Sequence, residues 1–259
     1  MRSALGTHWP EYLMEAAGLG IFMLSAGGFG IVLFHPASPV ALAIADPLRR
    51  CFLMGCAMGL TAVGLIYSAW GQQSGAHFNP AVTLAFVRLG KIAMPDAFFY
   101  MTAQLVGGVC GIVTIALVSR GLVADPAVSH VVTIPGAAGA PIAFVAELAI
   151  SLALMSVVLA VSNAPRIARY TGLCAGILVA AYITFEAAIS GMSMNPARSF
   201  ASALLADLWT AFWVYVTAPL IGTLLAAELR LRLSPQPVRC AKLHHDNPRR
   251  SIFRCGYAR

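Results

Sequence analysis

Long apolar stretches alternate along this chain with short polar or charged interruptions. Six of them fall at roughly 11–34, 50–70, 96–119, 141–162, 170–190 and 208–229. Each is close to or above the ~20 residues that a helix needs to cross a bilayer core. Residues 51–70 and 97–119 hold no charged side chain. The runs are rich in Ala, Leu and Gly, which predicts spanning helices rather than the short alternating strands of a membrane barrel. Two further apolar stretches, 77–89 and 192–206, are too short to cross. Both carry Asn-Pro-Ala, at Asn79-Pro80-Ala81 and Asn195-Pro196-Ala197.

The placement of the two tripeptides predicts a repeat. Asn79 lies between the second and third spans, and Asn195 between the fifth and sixth. Glu15 lies in span one and Glu147 at the matching place in span four. Residues of about 8–120 and 140–233 thus read as two versions of one three-span unit. An odd number of spans per unit inverts the second copy, the arrangement in which interrupted helices meet near the bilayer midplane. Asn is a preferred N-cap, and Pro fits the first helical position because it has no N–H to leave unpaired. Asn79 and Asn195 should each start a half-helix whose positive end points inward. With its oxygen committed to the cap, each amide keeps two N–H donors.

Composition supports a membrane protein. Hydrophobic residues make up 59% of the 259 and charged residues 10%, against about 25% charged in soluble domains. The mean hydropathy is +0.79. A soluble enzyme and a disordered chain are both excluded on these grounds. The net charge of +7 is concentrated in Arg230, Arg232, Arg239, Lys242, Arg249, Arg250, Arg254 and Arg259, opposed in that stretch by Asp246 alone. Residues 234–259 read as a basic cytoplasmic tail near anionic lipid rather than a nucleic-acid patch. With both ends inside, thirteen basic residues lie on the cytoplasmic side, and Arg49, Arg50 and Arg120 lie outside. The six cysteines show no framework spacing. Cys240 and Cys255 flank His244 and His245, but no Cys-x-x-Cys pair anchors a metal site, and nothing local demands acylation of either thiol.

At Gly75-Ala76-His77-Phe78-Asn79-Pro80-Ala81-Val82-Thr83 and Met194-Asn195-Pro196-Ala197-Arg198-Ser199 the sequence resembles the aquaporin, or major intrinsic protein, family. The resemblance spans about 8–233 and treats 1–233 as one channel domain. It implies an all-α membrane fold of six tilted helices and two re-entrant half-helices, a pore in each subunit and a homotetramer. It casts Glu15, Glu147 and His77 as supports of the pore loops and Arg198 as an electrostatic element of the filter. Counting back from the motifs places the filter at Gly59, Ile183, Met192 and Arg198. Gly59 and Ile183 would leave a wide, apolar opening suited to glycerol, urea or metalloid hydroxides. Ser199, Ala203 and Phe212-Trp213 resemble the strict water type instead, and the long inserts of glycerol channels are absent. Glu186 is an intramembrane acid that either lines the outer vestibule, pairs with Arg198 or holds loop backbone.

The function implied is passive passage of water and small uncharged solutes across a cell membrane, with protons and ions excluded. No cofactor, metal or nucleic-acid partner is expected, and no enzyme motif is found. A secondary transporter is the main rival, because inverted repeats occur there too. A structural membrane protein with little flux is the other.

Overall fold

The computed structural model describes residues 2–234 and 236–256. Arg259 of the basic tail lies outside them. Eight helices carry the architecture. Six are long: α1 (Arg2–Phe34), α2 (Pro47–Tyr67), α4 (Met94–Val118), α5 (Gly139–Ser162), α6 (Thr171–Phe185) and α8 (Phe212–Leu233). Two are short: α3 (Pro80–Arg88) and α7 (Pro196–Ala206). Among the described residues six helices are long and apolar enough to cross a membrane, as the hydrophobic pattern predicts.

The ends differ from the expectation where polar residues extend or cut a helix. α1 begins at Arg2 and carries Pro10 inside it, so its first turns stand beyond the apolar run. α2 begins earlier because Asp46 caps it, accepting from Leu48 N at 2.9 Å, with Pro47 in the first position. α6 stops at Phe185, short of 190, and a separate turn, Ala187–Ser190, follows Glu186.

The two repeats pack as inverted equivalents. α1 lies along α4 in the first, α5 along α8 in the second, and α2 along α6 between them. α3 packs on α8 and α7 on α4, so each half-helix seats against a long helix of the other repeat. The α1–α4 crossing explains one of the many glycines. A Cβ at Gly107 would stand 2.0 Å from the Ala16 carbonyl oxygen. Any larger residue would force the helices apart, and close packing is what drives association in lipid. Large apolar side chains such as Leu13, Phe52, Leu60, Leu117 and Val145 remain exposed on the outer surface, where acyl chains take the place of a protein neighbour.

The tail, expected as a basic segment near anionic lipid, packs part of its length into the protein. Val238, Cys240, Ala241, Leu243 and Phe253 are buried. Cys240 and Cys255 form a disulfide, which removes both thiols from the metal and acylation readings.

Candidate functional site

Each half-helix starts as its sequence dictates. Asn79 Oδ1 accepts from Ala81 N at 2.8 Å, and Asn195 Oδ1 accepts from Ala197 N at 3.1 Å and Arg198 N at 3.3 Å. Pro80 and Pro196 occupy the first helical positions. The two ends meet and brace each other. Asn79 Nδ2 donates to Met194 O at 2.7 Å, and Asn195 Nδ2 donates to Phe78 O at 2.8 Å. One N–H of each amide is therefore engaged by the opposite loop. This corrects the expectation of two free donors: one remains on each.

The loops leading into the half-helices are shaped by buried carboxylates. Glu15 accepts from Ser74 Oγ (2.7 Å), His77 N (3.1 Å), Phe78 N (2.6 Å) and Gln104 Nε2 (2.8 Å). Glu147 accepts from Ser190 Oγ (2.7 Å), Ser193 N (2.6 Å) and Met194 N (2.7 Å). Both glutamates are fully buried. Tyr100 and Tyr215 complete the pair, donating to Ser74 O at 2.7 Å and Ser190 O at 2.6 Å. His77 links its loop to α3 through Thr83 Oγ1 at 3.1 Å. Gly75 and Gly191 take φ of +95° and +84°. Ala76, Phe78, Met192 and Met194 also have positive φ, between 47° and 57°. Such a conformation costs a non-glycine residue about 1–3 kcal/mol and persists only where its surroundings impose it. The carboxylates, which fix the intervening N–H groups, supply that constraint.

A cavity of about 600 Å³ runs past both asparagines. One wall is polar, formed by His77, Asn79, Ser193, Asn195 and Arg198. Much of the remaining lining is apolar, with Leu19, Phe22, Met54, Met58, Val158 and Val179. Ile183, Met192 and Arg198 line it as expected. Arg198 Nη1 is buried and has no hydrogen-bond partner, so one donor is left over at the wall. Gly59 does not line the cavity. It sits on the α2–α6 crossing, where a Cβ would come 2.5 Å from Gly176 O, and Met58 faces the cavity in its place. The expected glycine-widened opening is therefore absent, and a long flexible thioether stands on that side.

Glu186 is buried at the end of α6, away from the cavity wall. Neither of its oxygens has a hydrogen-bond partner among the described residues. It thus shows neither the expected pairing with Arg198 nor the expected bond to loop backbone.

Other parts of the site escaped the sequence reading. Val128, Val131, Val132 and Ile134, in the segment between α4 and α5, also line the cavity. Thr133 Oγ1 reaches Ser199 Oγ at 2.7 Å. Leu243 of the tail lines the cavity as well. A signal existed for the loop supports. Ser74 and Ser190, Gly75 and Gly191, and Thr83 and Ser199 stand at the same separation as the two asparagines. The segment between α4 and α5 and the tail carry no comparable periodicity.

Crossing helices in two inverted sets, with half-helices joined end to end beside a cavity that both repeats line, define a multi-pass membrane protein of inverted-repeat type. Residues 8–229 match the major intrinsic protein family. Aquaporin NIP1-2 of Oryza sativa subsp. japonica is 34% identical over 233 residues, 88% of this chain and 74% of that protein. A probable NIP-type aquaporin of Nicotiana alata is 36% identical over 185 residues, 70% of this chain and 66% of that one. Aquaporin-4 of Rattus norvegicus is 31% identical over 223 residues, 85% and 66% of the two chains. Among solved structures, the aquaglyceroporin from Plasmodium falciparum superposes with a TM-score of 0.69 at 21% identity, covering 88% of this chain and 97% of that one. That likeness speaks for the fold. The chain belongs to the major intrinsic protein family.

Proposed function

We propose that this protein is a passive channel for water and small uncharged solutes. The observation that carries this reading is the pair of asparagines at the junction of the two half-helices. Each has one N–H left after capping and bracing, and both line one continuous cavity. A water passing there gives its oxygen to these donors and turns its hydrogens outward. The apolar part of the lining offers no replacement partner, so the chain of water–water hydrogen bonds is interrupted. Two positive helix ends and Arg198 oppose protons and cations; half-helix dipoles and an arginine are the general account of selectivity in such pores.

Met58, Ile183, Met192 and Arg198 form the proposed constriction. Three apolar side chains and one cationic donor suit a solute with a hydrocarbon face and a hydroxyl face. That chemistry favours glycerol-like molecules alongside water. We place both termini on the cytoplasmic side of a cell membrane. In the fold, Arg88, Lys91, Arg232, Arg239, Arg250 and Arg254 gather at the face of the chain ends, and Arg50 and Arg120 lie at the other, in accord with the preference of basic residues for the cytoplasm. A homotetramer would cover part of the exposed apolar surface.

The test is stopped-flow light scattering on liposomes holding the purified chain, with dithiothreitol present to open the Cys240–Cys255 bond. Water flux well above bare lipid, and glycerol flux linear in concentration and indifferent to ion gradients, are expected. Flux at the bare-lipid rate would overturn the channel reading; saturating or gradient-coupled flux would move the protein to the transporters.

A further inference from the structure

We infer that the tail segment 236–256 is a stopper seated in the pore mouth at the face of the chain termini, with Leu243 as its plug. This goes beyond the channel reading and rests on it. Leu243 is buried and forms part of the cavity wall beside His77 and Val158. Its N–H donates to Gly75 O at 3.1 Å, at the start of the loop that leads into α3. Ala241 O lies 2.9 Å from His77 Nε2. The Phe253 ring stacks on the His77 ring with centroids 5.3 Å apart.

The segment is tied to elements on every side of the opening. Arg239 N donates to Asn163 Oδ1 at 2.6 Å, and His245 Nε2 meets Ser162 O at 2.8 Å, both at the end of α5. The His244 ring packs edge-on against Tyr67 at the end of α2. Arg254 N donates to Lys91 O at 3.1 Å, just past α3. Arg250 Nη2 donates to Thr7 O at 2.8 Å, and Arg250 Nε lies 3.7 Å from the buried Glu11 carboxylate, both on α1. A segment anchored to α1, α2, the α3 loops and α5 crosses the opening rather than hanging beside it. Lys242 holds the crossing folded, its ammonium donating to Arg249 O at 3.2 Å and Arg250 O at 2.8 Å.

The Cys240–Cys255 disulfide encloses both Leu243 and Phe253. Because both cysteines lie within the segment, the bond adds no covalent tie to the body beyond the chain's own link to α8, while it limits the shapes the undocked segment can take. Reduction therefore favours release. A dithiol is the reductant: one thiolate attacks a sulfur of the pair, a mixed disulfide forms, and the other cysteine leaves and takes a proton. The second thiol closes the reductant's own disulfide and frees the remaining cysteine. Two electrons pass from the dithiol, giving Cys240 and Cys255 as thiols. With the termini cytoplasmic, as proposed above, the pair faces a reducing compartment in which disulfides are typically transient and sensing.

The experiment compares water permeability of full-length chains in liposomes: oxidised wild type, wild type with dithiothreitol, oxidised Leu243→Ala, and Cys240→Ser/Cys255→Ser with and without dithiothreitol. The other cysteines are free, so the reductant has one target among the described residues. The oxidised wild type should be slow. Reduction or Leu243→Ala should speed it on the order of tenfold, as a mostly docked stopper becomes mostly undocked. The double serine variant should be fast and indifferent to reductant. An oxidised wild type as fast as Leu243→Ala overturns the stopper and leaves the channel standing. Reduced wild type and both variants at the bare-lipid rate overturn the channel reading and the stopper with it.

Discussion

The surroundings of Glu15 and Glu147 offer donors, so an acceptor-only side chain is required at both. Replacing either carboxylate with an amide turns an N–H₂ toward a backbone N–H. At Glu147→Gln, one of Ser193 N and Met194 N loses its acceptor. A buried donor left unsatisfied costs about 1–3 kcal/mol. At Glu15→Gln a similar orphan forms on the loop, but Gln104 is at hand. Its Oε1 has no partner in the wild type and can turn to accept from the new amide. The recovered bond returns about 0.5–1.5 kcal/mol. Glu147→Gln should therefore lower thermal stability in detergent by several degrees, and Glu15→Gln by less. Equal losses, or a larger loss at Glu15, would show that Gln104 does not rescue the site. Both glutamates were legible in the sequence as intramembrane acids at matching places. Gln104 was not, since a lone glutamine in a span carries no pattern until its neighbour is known.

At the scale of an element, the register of α2 decides which face meets the cavity. A shift of one residue turns a helical side chain by about 100°. Counting back from Asn79 lands on Gly59, but the path includes Ser68 and the separate turn Ala69–Ser74, and the count stops one residue short of Met58, which lines the cavity. Spans, half-helices and their inverted order were readable because each rests on length, capping chemistry or repetition. A rotation about a helix axis rests on packing, which sequence spacing does not encode across an irregular turn. Two substitutions separate the registers. Met58→Ala removes a side chain from the cavity wall and should raise glycerol flux severalfold while water still passes. Gly59→Ala pushes a methyl group against Gly176 O and should lower thermal stability without changing the ratio of glycerol to water flux. Stopped-flow ratios on both variants check this; an altered ratio in Gly59→Ala alone would restore the expected filter.

The whole molecule places its most basic segment against its own pore, which hydropathy and charge did not foretell. Val238, Leu243 and Phe253 are scattered among arginines with neither helical nor strand spacing, so nothing marked them as a buried set before the mouth that receives them was formed. That docking also sets a pH dependence. Burial lowers the pKa of His244 and His245 from the ordinary 6.5, although Asp246 and, for His245, the Ser162 carbonyl pull the other way. Arg239 adds repulsion at His245, and Tyr67 covers His244. A docked tail thus binds fewer protons than a free one between its lowered values and about 6.5, so docking is strongest above about pH 6.5 and weakens as pH falls through the docked-state values. Oxidised wild type should gain water permeability severalfold on acidification from about pH 7 to about pH 5. In His244→Gln/His245→Gln, which has no proton to take up there, the rise should shrink or vanish. A wild-type rate that is flat, or that climbs toward alkaline pH, would mean that the two imidazoles do not govern the seating of the tail.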